Sequence, residues 1–386
     1  MNPTRQTSIA AQIVTFSFGR TILNTGFRMV YPFLPSFSRA LNVDISVIAL
    51  TISVRAWLGL ASLLLGSLAD IRGRKLTMLV GMGIFSSGFA VVALWPTLPG
   101  LFIALILSAG SKILVDSAVQ AFLGDHVDYS RRGTAIAITE LSWSAAYILG
   151  IPLVGFFISN WDWRAPFLWL SCMGIIAAIL IYQVVPHVST ENYPSSSLKS
   201  SLRDLLSHPS ALAGVSIGML LSAGNETVTI VYGAWMEQAF LISVAALGAA
   251  STIIGLAELG GEGLVALLAD RIGKKSSVGI GLAFNSAACL ALPQLGQTLT
   301  GALIGLFLFY LSFEFAIVSS IPLMTELVPK ARGTTMSALF AGFAAGRGVG
   351  ALLGPSLFGY GLMANCSLAA AFDITAFLLL LFFMRE

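Results

Sequence analysis

Twelve ionisable side chains lie inside long apolar segments of this sequence, where a charge is costly and therefore usually functional. The basic members are Arg20, Arg28, Arg55, Lys112 and Arg347, and the acidic members are Asp116, Glu140, Glu226, Glu258, Glu262, Glu314 and Asp373. In an apolar medium such groups bind polar solutes, pair with one another or carry protons. They are the first candidates for chemistry in this chain.

Two pairs of these side chains are spaced four residues apart, which places both members on one face of a helix. Lys112 and Asp116 carry opposite charges, so we expect them to neutralise each other. Glu258 and Glu262 carry like charges, and two nearby carboxylates in a low dielectric cannot both ionise cheaply. The second pair suits a proton carrier; the alternative is a polar lining in which one acid stays protonated.

The two halves of the sequence differ in the sign of their buried charge. The first half is mostly basic and has Arg20, Asn24 and Arg28 in one helical stripe, whereas the second half has four glutamates against Arg347. One hypothesis is that the opposed charges pair when the halves close on each other. The other is that they bind a solute of both signs, or an anion on the basic side while a carboxylate carries the proton.

The segments that must position these groups are membrane helices. The chain has 386 residues, of which 56% are hydrophobic and 10% charged, against about 25% charged residues in soluble proteins. Apolar runs of about twenty residues indicate helices rather than barrel strands. The predicted spans are 8–37, 45–69, 76–96, 98–124, 133–158, 164–186, 210–238, 244–269, 276–296, 299–324, 333–360 and 365–384.

Lysine and arginine predict the orientation, because they collect in cytoplasmic loops. Only Arg39 and Arg164 lie in loops on one side, so we expect both termini in the cytoplasm of a multi-pass cell (inner) membrane protein. The fourteen residues on the other side are Arg5, Arg72, Arg74, Lys75, Arg131, Arg132, Lys199, Arg203, Arg271, Lys274, Lys275, Lys330, Arg332 and Arg385.

A polar stretch at 187–209 divides the chain into an N-terminal bundle at 1–186 and a C-terminal bundle at 210–386. Its leucines at helical spacing are consistent with a short amphipathic helix on the membrane surface. A disordered cytoplasmic linker is the alternative.

A repeated loop indicates that the two bundles arose by duplication. Asp70-Ile-Arg-Gly-Arg-Lys75 returns 200 residues later as Asp270-Arg-Ile-Gly-Lys-Lys275, and Arg132-Gly133-Thr134 returns at the same offset as Arg332-Gly333-Thr334. One offset shared by two separate signals indicates a second half in the same orientation as the first.

The loop from Gly66 to Lys75 resembles motif A of the major facilitator superfamily, and the stretch from Ala266 to Lys275 resembles its repeat. The resemblance implies an all-α fold of 12 transmembrane helices in two pseudo-symmetric six-helix bundles. In that fold spans 3, 6, 9 and 12 are peripheral, and here those spans carry one buried charge, Asp373. The resemblance also implies gating roles for Asp70, Gly73, Arg74, Asp270, Gly273 and Lys274.

A motif in span 5 indicates a particular branch of the superfamily. The stretch Gly150-Ile-Pro152-Leu-Val-Gly155 is similar to the antiporter motif of the drug:proton antiporter branch. The chain departs from that branch in span 1, where Asn24 and Arg28 stand where an acidic residue is common. The arginine that this branch usually has in span 4 is not in its usual place, and the nearest basic residue, Lys112, lies several residues later. These departures favour anionic or zwitterionic solutes over cationic drugs.

The sequence thus predicts a secondary transporter, proton-coupled and exporting a small organic solute by alternating access, with no cofactor or metal. Its partners are the solute, protons and the bilayer, and we expect a monomer. Candidate solute ligands are Asn24, Arg28, Arg55, Lys112 and Arg347. Candidate proton carriers are Asp116, Glu140, Glu226, Glu258, Glu262 and Glu314.

Other classes are weaker alternatives. A facilitator or symporter of an anionic or zwitterionic metabolite, or a lipid transporter, fits the same fold. Gly214-Val-Ser216-Ile-Gly218 matches the pattern of a serine nucleophile, but that motif needs a strand-to-helix turn and a histidine. The three histidines, His126, His187 and His208, lie in loops, and no nucleotide-binding loop is present, so we expect neither an enzyme nor an ATP-driven pump.

Overall fold

The computed structural model describes residues 8–61, 73–186, 208–327 and 332–384, and all regular structure in these ranges is helical. Asp70 and most of the predicted linker, 187–207, lie outside the described residues. Ten helices or helix pairs of the described ranges are long and apolar enough to cross a membrane, and 45–60 is a shorter apolar helix. An all-α multi-pass membrane protein is therefore confirmed, while the count of twelve spans and two six-helix bundles stays a prediction.

The helices before the linker have these bounds: α1 Ile9–Arg28, α2 Val30–Leu41, α3 Ile45–Trp57, α4 Arg74–Leu94, α5 Leu98–His126, α6 Tyr129–Glu140, α7 Ser142–Ala145, α8 Ile151–Asn160 and α9 Ala165–Val184. A 3₁₀ turn at Leu58–Ala61 extends α3, and a π turn at Ala146–Gly150 joins α7 to α8. The predicted spans in these ranges agree with the helices to within a few residues.

The helices after the linker are α10 Pro209–Thr229, α11 Tyr232–Phe240, α12 Val244–Ala250, α13 Thr252–Ile272, α14 Lys274–Leu295, α15 Leu299–Leu327, α16 Arg332–Phe358 and α17 Leu362–Phe383. The predicted span 210–238 is two helices, α10 and α11, and 244–269 is likewise divided into α12 and α13. Each remains long enough, as a pair, to cross a bilayer.

Several breaks interrupt spans that the sequence predicts as continuous, and two have a proline as their cause. Pro32 cannot donate to the carbonyl of Arg28, and the helix is broken between them at Met29. Pro152 follows the π turn, a form that accommodates a proline ring. The breaks matter because Arg28 and Glu140 are each the last residue of a helix, beside a change in backbone geometry.

The described residues form two compact units. One contains 8–30, 61 and 73–186, with α4 packed on α5 and α9 and with α1 packed on α9. The other contains 31–60 together with 208–327 and 332–384, with α3 packed along α16 and with α10 packed between α16 and α17. Residues 31–60 thus pack with the second half of the sequence, and the division into bundles at 1–186 and 210–386 stays a prediction.

Candidate functional site

The first unit contains an ionic network built around Arg20. Its Nη1 and Nη2 donate to the two carboxylate oxygens of Glu140 at 2.8 and 2.9 Å, and its Nε donates to Asp116 at 2.9 Å. Lys112 Nζ donates to the second oxygen of Asp116 and to the side-chain oxygen of Asn24, both at 2.7 Å. Arg20, Asn24, Lys112, Asp116 and Glu140 are called the Arg20 network below.

The charges of the Arg20 network balance, since two cations face two carboxylates. The predicted pairing of Lys112 with Asp116 is confirmed. The side chain of Arg20 is 4% exposed, whereas that of Glu140 is 40% exposed, so one end of the network is accessible to water and the other is not. Loss of either carboxylate would therefore leave the buried cations of the network without full compensation.

Arg28 lies close by but is held in a different way. Its guanidinium carbon is 3.9 Å from the ring centroids of both Trp143 and Tyr147, and its Nη1 donates to the carbonyl of Trp143 at 3.1 Å. Guanidinium groups are weakly hydrated and stack well on aromatic faces. The two rings are four residues apart, one at the start of α7 and one in the π turn, so the helix break helps to shape this clamp.

The second unit contains a further charged cluster, around Glu226 on α10. The Tyr31 hydroxyl of α2 hydrogen bonds to the Glu226 carboxylate, and Arg55 Nη2 of α3 donates to the same hydroxyl at 3.1 Å. Arg55 and Arg347 of α16 both act electrostatically on this pair. Tyr31, Arg55, Glu226 and Arg347 are called the Glu226 cluster below, and it unites three of the predicted site residues from both halves of the sequence.

Three of the four members of the Glu226 cluster are shielded from solvent, and Arg347 is half-buried. Glu226 and Arg55 are each 2% exposed and Tyr31 is 5% exposed. A Cβ at Gly350 would lie 2.7 Å from the Cβ of Glu226, so only glycine lets α16 approach α10 this closely. Gly346, Gly350 and Gly354 are spaced four residues apart and therefore form a stripe along one face of α16. In the structure this stripe lies against α10.

The remaining predicted carboxylates lie where α13 meets α15. A Cβ at Gly261, between Glu258 and Glu262 in sequence, would lie 2.7 Å from the Cβ of Glu314. Glu258 and Glu314 are buried and Glu262 is half-buried. The three carboxylate-bearing residues therefore belong to two helices, α13 and α15, that pack closely within the second unit.

The two predicted gate loops have the same local structure where both are described. Gly73 and Gly273 each have φ of 89°, a region that favours glycine, and each begins a helix. Their carbonyls accept the hydroxyls of Thr77 and Ser277, at 2.9 and 2.8 Å. The sequence repeat is therefore also a structural repeat.

In both loops, the first residue of the helix that follows the glycine forms an ion pair. Arg74 Nε donates to Asp125 at 3.2 Å, and Lys274 pairs with Glu326. A cavity of about 630 Å³ lies beside the second loop and is lined by residues that include Asp270, Lys274 and Glu326. Asp270 is exposed at its edge.

Sequence reasoning overlooked several residues that hold the charged groups in place. Tyr31, Trp143 and Tyr147 are uncharged aromatics in an apolar chain, so no local signal distinguishes them from core. The spacing of Arg20, Asn24 and Arg28 places them in one helical stripe, and this spacing was the available sequence signal for a structural role of Arg20. Its ionic partners are about a hundred residues away in sequence, so the spacing could not identify them.

Comparison with known proteins agrees with this architecture. The family model described as the Major Facilitator Superfamily matches residues 16–223 and again residues 215–386. The chain is 27% identical over 366 residues to the uncharacterized MFS-type transporter YwfA of Bacillus subtilis (strain 168), which covers 93% of this chain and 88% of that protein. It is 23% identical over 298 residues to Multidrug resistance protein 2 of the same organism, covering 75% and 74%.

Among solved structures, the chain is similar to the POT family transporter PepTSo, with a TM-score of 0.78. The similarity covers 100% of this chain and 98% of that one, at 14% sequence identity. At this identity the similarity concerns the fold.

Proposed function

This chain belongs to the major facilitator superfamily, and from that premise we propose that it exports a small organic solute in exchange for protons. Members of the family are transporters and not enzymes, and the relatives of this chain include one named Multidrug resistance protein 2 and one named Probable sugar efflux transporter. Proton coupling, antiport and the solute are the proposed parts. The observation that carries the proposal is the Arg20 network, a balanced set of charges inside membrane helices.

The Arg20 network supports proton coupling for a simple electrostatic reason. Buried ion pairs in a membrane are costly to form and are retained where they have a function. Protonating Glu140 removes one of the two carboxylates that compensate Arg20 and Lys112. The network then carries an excess positive charge, and a change in conformation that brings water or a new counter-charge to it becomes favourable.

The other predicted residues take roles in the same proposal. The solute would be bound by Asn24, Arg28, Arg55, Lys112 and Arg347. Protons would be carried by Asp116, Glu140, Glu226, Glu258, Glu262 and Glu314. Gating would depend on Asp70, Gly73, Arg74, Asp270, Gly273 and Lys274.

Transport would follow alternating access, with the two six-helix bundles rocking about the site. We place the monomeric protein in the inner membrane with both termini in the cytoplasm, as the lysine and arginine bias favours. The matched backbone at Gly73 and Gly273 supports a pair of gates on one side of the membrane.

A second candidate is cotransport of an anionic solute with protons. The observation that favours it is the Glu226 cluster, in which two guanidinium groups act on a single carboxylate. A cationic drug would be repelled by such a site, whereas a carboxylate or sulfonate would be attracted to it.

The test is solute-dependent proton flux into proteoliposomes that hold a pH-sensitive dye. Anionic, zwitterionic and cationic solutes are added in turn, and Glu140→Gln is compared with Asp128→Asn, a change at an exposed acid outside the network. We expect a solute-dependent pH change that is lost in Glu140→Gln and kept in the control. Solute movement without any proton flux would refute proton coupling.

A further inference from the structure

We propose that the Glu226 cluster is an anion site that its own carboxylate occupies, so that a proton on Glu226 and a solute anion at Arg55 and Arg347 are bound together. This inference deepens the second candidate function, cotransport of an anionic solute with protons, on which it rests, by naming the groups that bind the solute and the proton.

The hydrogen bonds of the cluster have one consistent direction. A guanidinium only donates, so the bond from Arg55 Nη2 uses an oxygen lone pair of Tyr31. The single hydroxyl proton of Tyr31 is then available to the Glu226 carboxylate. Glu226 therefore occupies the place of an anion at the end of a chain of donors that starts at Arg55.

Charge explains why this place suits a substrate anion. Within the cluster one carboxylate faces two guanidinium groups, so even with Glu226 ionised the cluster has an excess positive charge. The cost of burying an uncompensated cation is several kcal/mol. A monovalent anion among these groups would reduce that cost, and a second cation would increase it.

A donor beside the cluster supports the same ligand class. Ser222 is one helical turn before Glu226 and on the same face of α10, and it is 1% exposed. Its hydroxyl oxygen has no hydrogen-bond partner among the described residues. Buried hydroxyl groups are normally paired, so an unpaired one a helical turn from Glu226 is consistent with a polar ligand.

Protonation of Glu226 couples the proton to the anion. A neutral carboxyl is a weaker acceptor for Tyr31 and no longer compensates the charge of the arginines, so an external anion meets less competition and more positive charge. By linkage, the anion also favours the protonated form to the same extent. The two ligands therefore bind cooperatively, and the cluster favours carrying them together.

The neighbouring titratable groups are few on the faces packed against α10. The elements α2, α3 and α16 supply Tyr31, Arg55 and Arg347. The other acidic, tyrosine and cysteine side chains on described helices packed against α10 are Tyr310, Glu314 and Glu326 of α15, Cys366 and Asp373 of α17, and Tyr232 and Glu237 of α11. Of these, Tyr310 is hydrogen bonded to Thr229, also on α10.

The experiment measures binding of benzenesulfonate and methanesulfonate to the purified protein by titration calorimetry between pH 5 and pH 8. Both anions keep their charge over this range, so any pH dependence belongs to the protein. Phenyltrimethylammonium serves as the cation of matched size. We expect the sulfonates to bind more tightly as pH falls, by up to about tenfold per unit, the limit for one linked proton.

Variants then assign the effect to the cluster. Glu226→Gln should bind the sulfonates at pH 8 as tightly as the wild type does at low pH, with the pH dependence lost. Asp373→Asn, at another buried acid of the same unit to which we assign no role in transport, should keep it. Arg347→Gln, at a half-buried position that tolerates substitution better than Arg55, should weaken sulfonate binding at least tenfold while thermal unfolding stays cooperative.

Three results would overturn the inference: no binding of either sulfonate, sulfonate binding that does not depend on pH, or preferential binding of phenyltrimethylammonium. Failure of the proposed function gives a different pattern. Proton-linked sulfonate binding that persists without any solute-dependent proton flux in proteoliposomes would leave the anion site standing and refute coupled transport.

Discussion

Arg20 and Glu140 are joined by two parallel hydrogen bonds, at 2.8 and 2.9 Å, although 120 residues separate them. This fork-to-fork geometry is the strongest arrangement of an arginine and a carboxylate. It connects the middle of α1 to the end of α6, at the point where the predicted fifth span is broken. The pair thus links a buried cation to a helix break.

Arg20→Gln should destabilise the protein by about 3 kcal/mol, because it leaves two carboxylates in the membrane region with only Lys112. Thermal unfolding in detergent measures this loss. The double variant Arg20→Gln with Asp116→Asn should recover part of it, since one unpaired charge is also removed. A double variant less stable than Arg20→Gln would contradict the ionic account.

Gly73→Ala and Gly273→Ala should each destabilise the protein by about 1–2 kcal/mol, because an L side chain is strained at φ of 89°. No atom lies within 4 Å of a Cβ at Gly73, and Ser276 Oγ is 3.8 Å away at Gly273, so crowding contributes nothing. Gly83→Ala is the matched control, a helical glycine with open space that should gain stability. Equal effects at all three positions would refute the backbone explanation.

Trp143→Leu should cost about 1–2 kcal/mol of stability, because it removes one of the two aromatic faces that hold Arg28. Trp143→Phe keeps a ring and should cost less. Arg28→Lys should also be destabilising, since an ammonium cannot stack between two rings. The same ranking measured by thermal unfolding would support the clamp, and a fully stable Trp143→Leu variant would contradict it.

Asp373→Val should stabilise the protein. Asp373 is 0% exposed, and neither of its carboxylate oxygens has a hydrogen-bond partner among the described residues. Replacing a buried, unsatisfied polar group by an apolar one of similar size is commonly favourable. A higher unfolding temperature with unchanged transport is the expected result, and loss of transport in a well-folded variant would give Asp373 a function.

Lys274→Gln and Asp70→Asn should slow turnover without weakening solute binding, because we place both in the gates. The first change removes the ion pair with Glu326. Arg271→Gln alters an exposed neighbouring charge and serves as the control. Initial transport rates report on gating, and binding constants report on solute binding. Wild-type turnover in both gate variants would refute a gating role for Lys274 and Asp70.

Sequence predicts some contacts of the site and not others for a geometric reason. Lys112 and Asp116 pair because helix geometry alone brings positions four apart together. The bonds from Arg20 to Glu140 and from Arg55 to Tyr31 depend on how separate helices pack, which no local spacing records. The positions of Pro32 and Pro152 do allow two of the helix breaks to be predicted.

The all-helical, multi-pass character of the chain was also predictable, because apolar runs of membrane length can be recognised in the sequence. The packing of residues 31–60 with the second half of the chain was not. This packing depends on close contacts such as that of Gly348 with the Trp57 ring. The need for a glycine at such a position can be recognised only when the contacting residue is known.

Uphill movement of solute under an imposed pH gradient tests the central claim most directly. Proteoliposomes with a solute that gives proton flux, present at equal concentrations inside and outside, receive a pH step. Coupled transport predicts that the solute accumulates on one side and that the accumulation fails in Glu140→Gln. Equal concentrations that persist under the gradient in the wild type, with solute exchange still rapid, would contradict proton coupling.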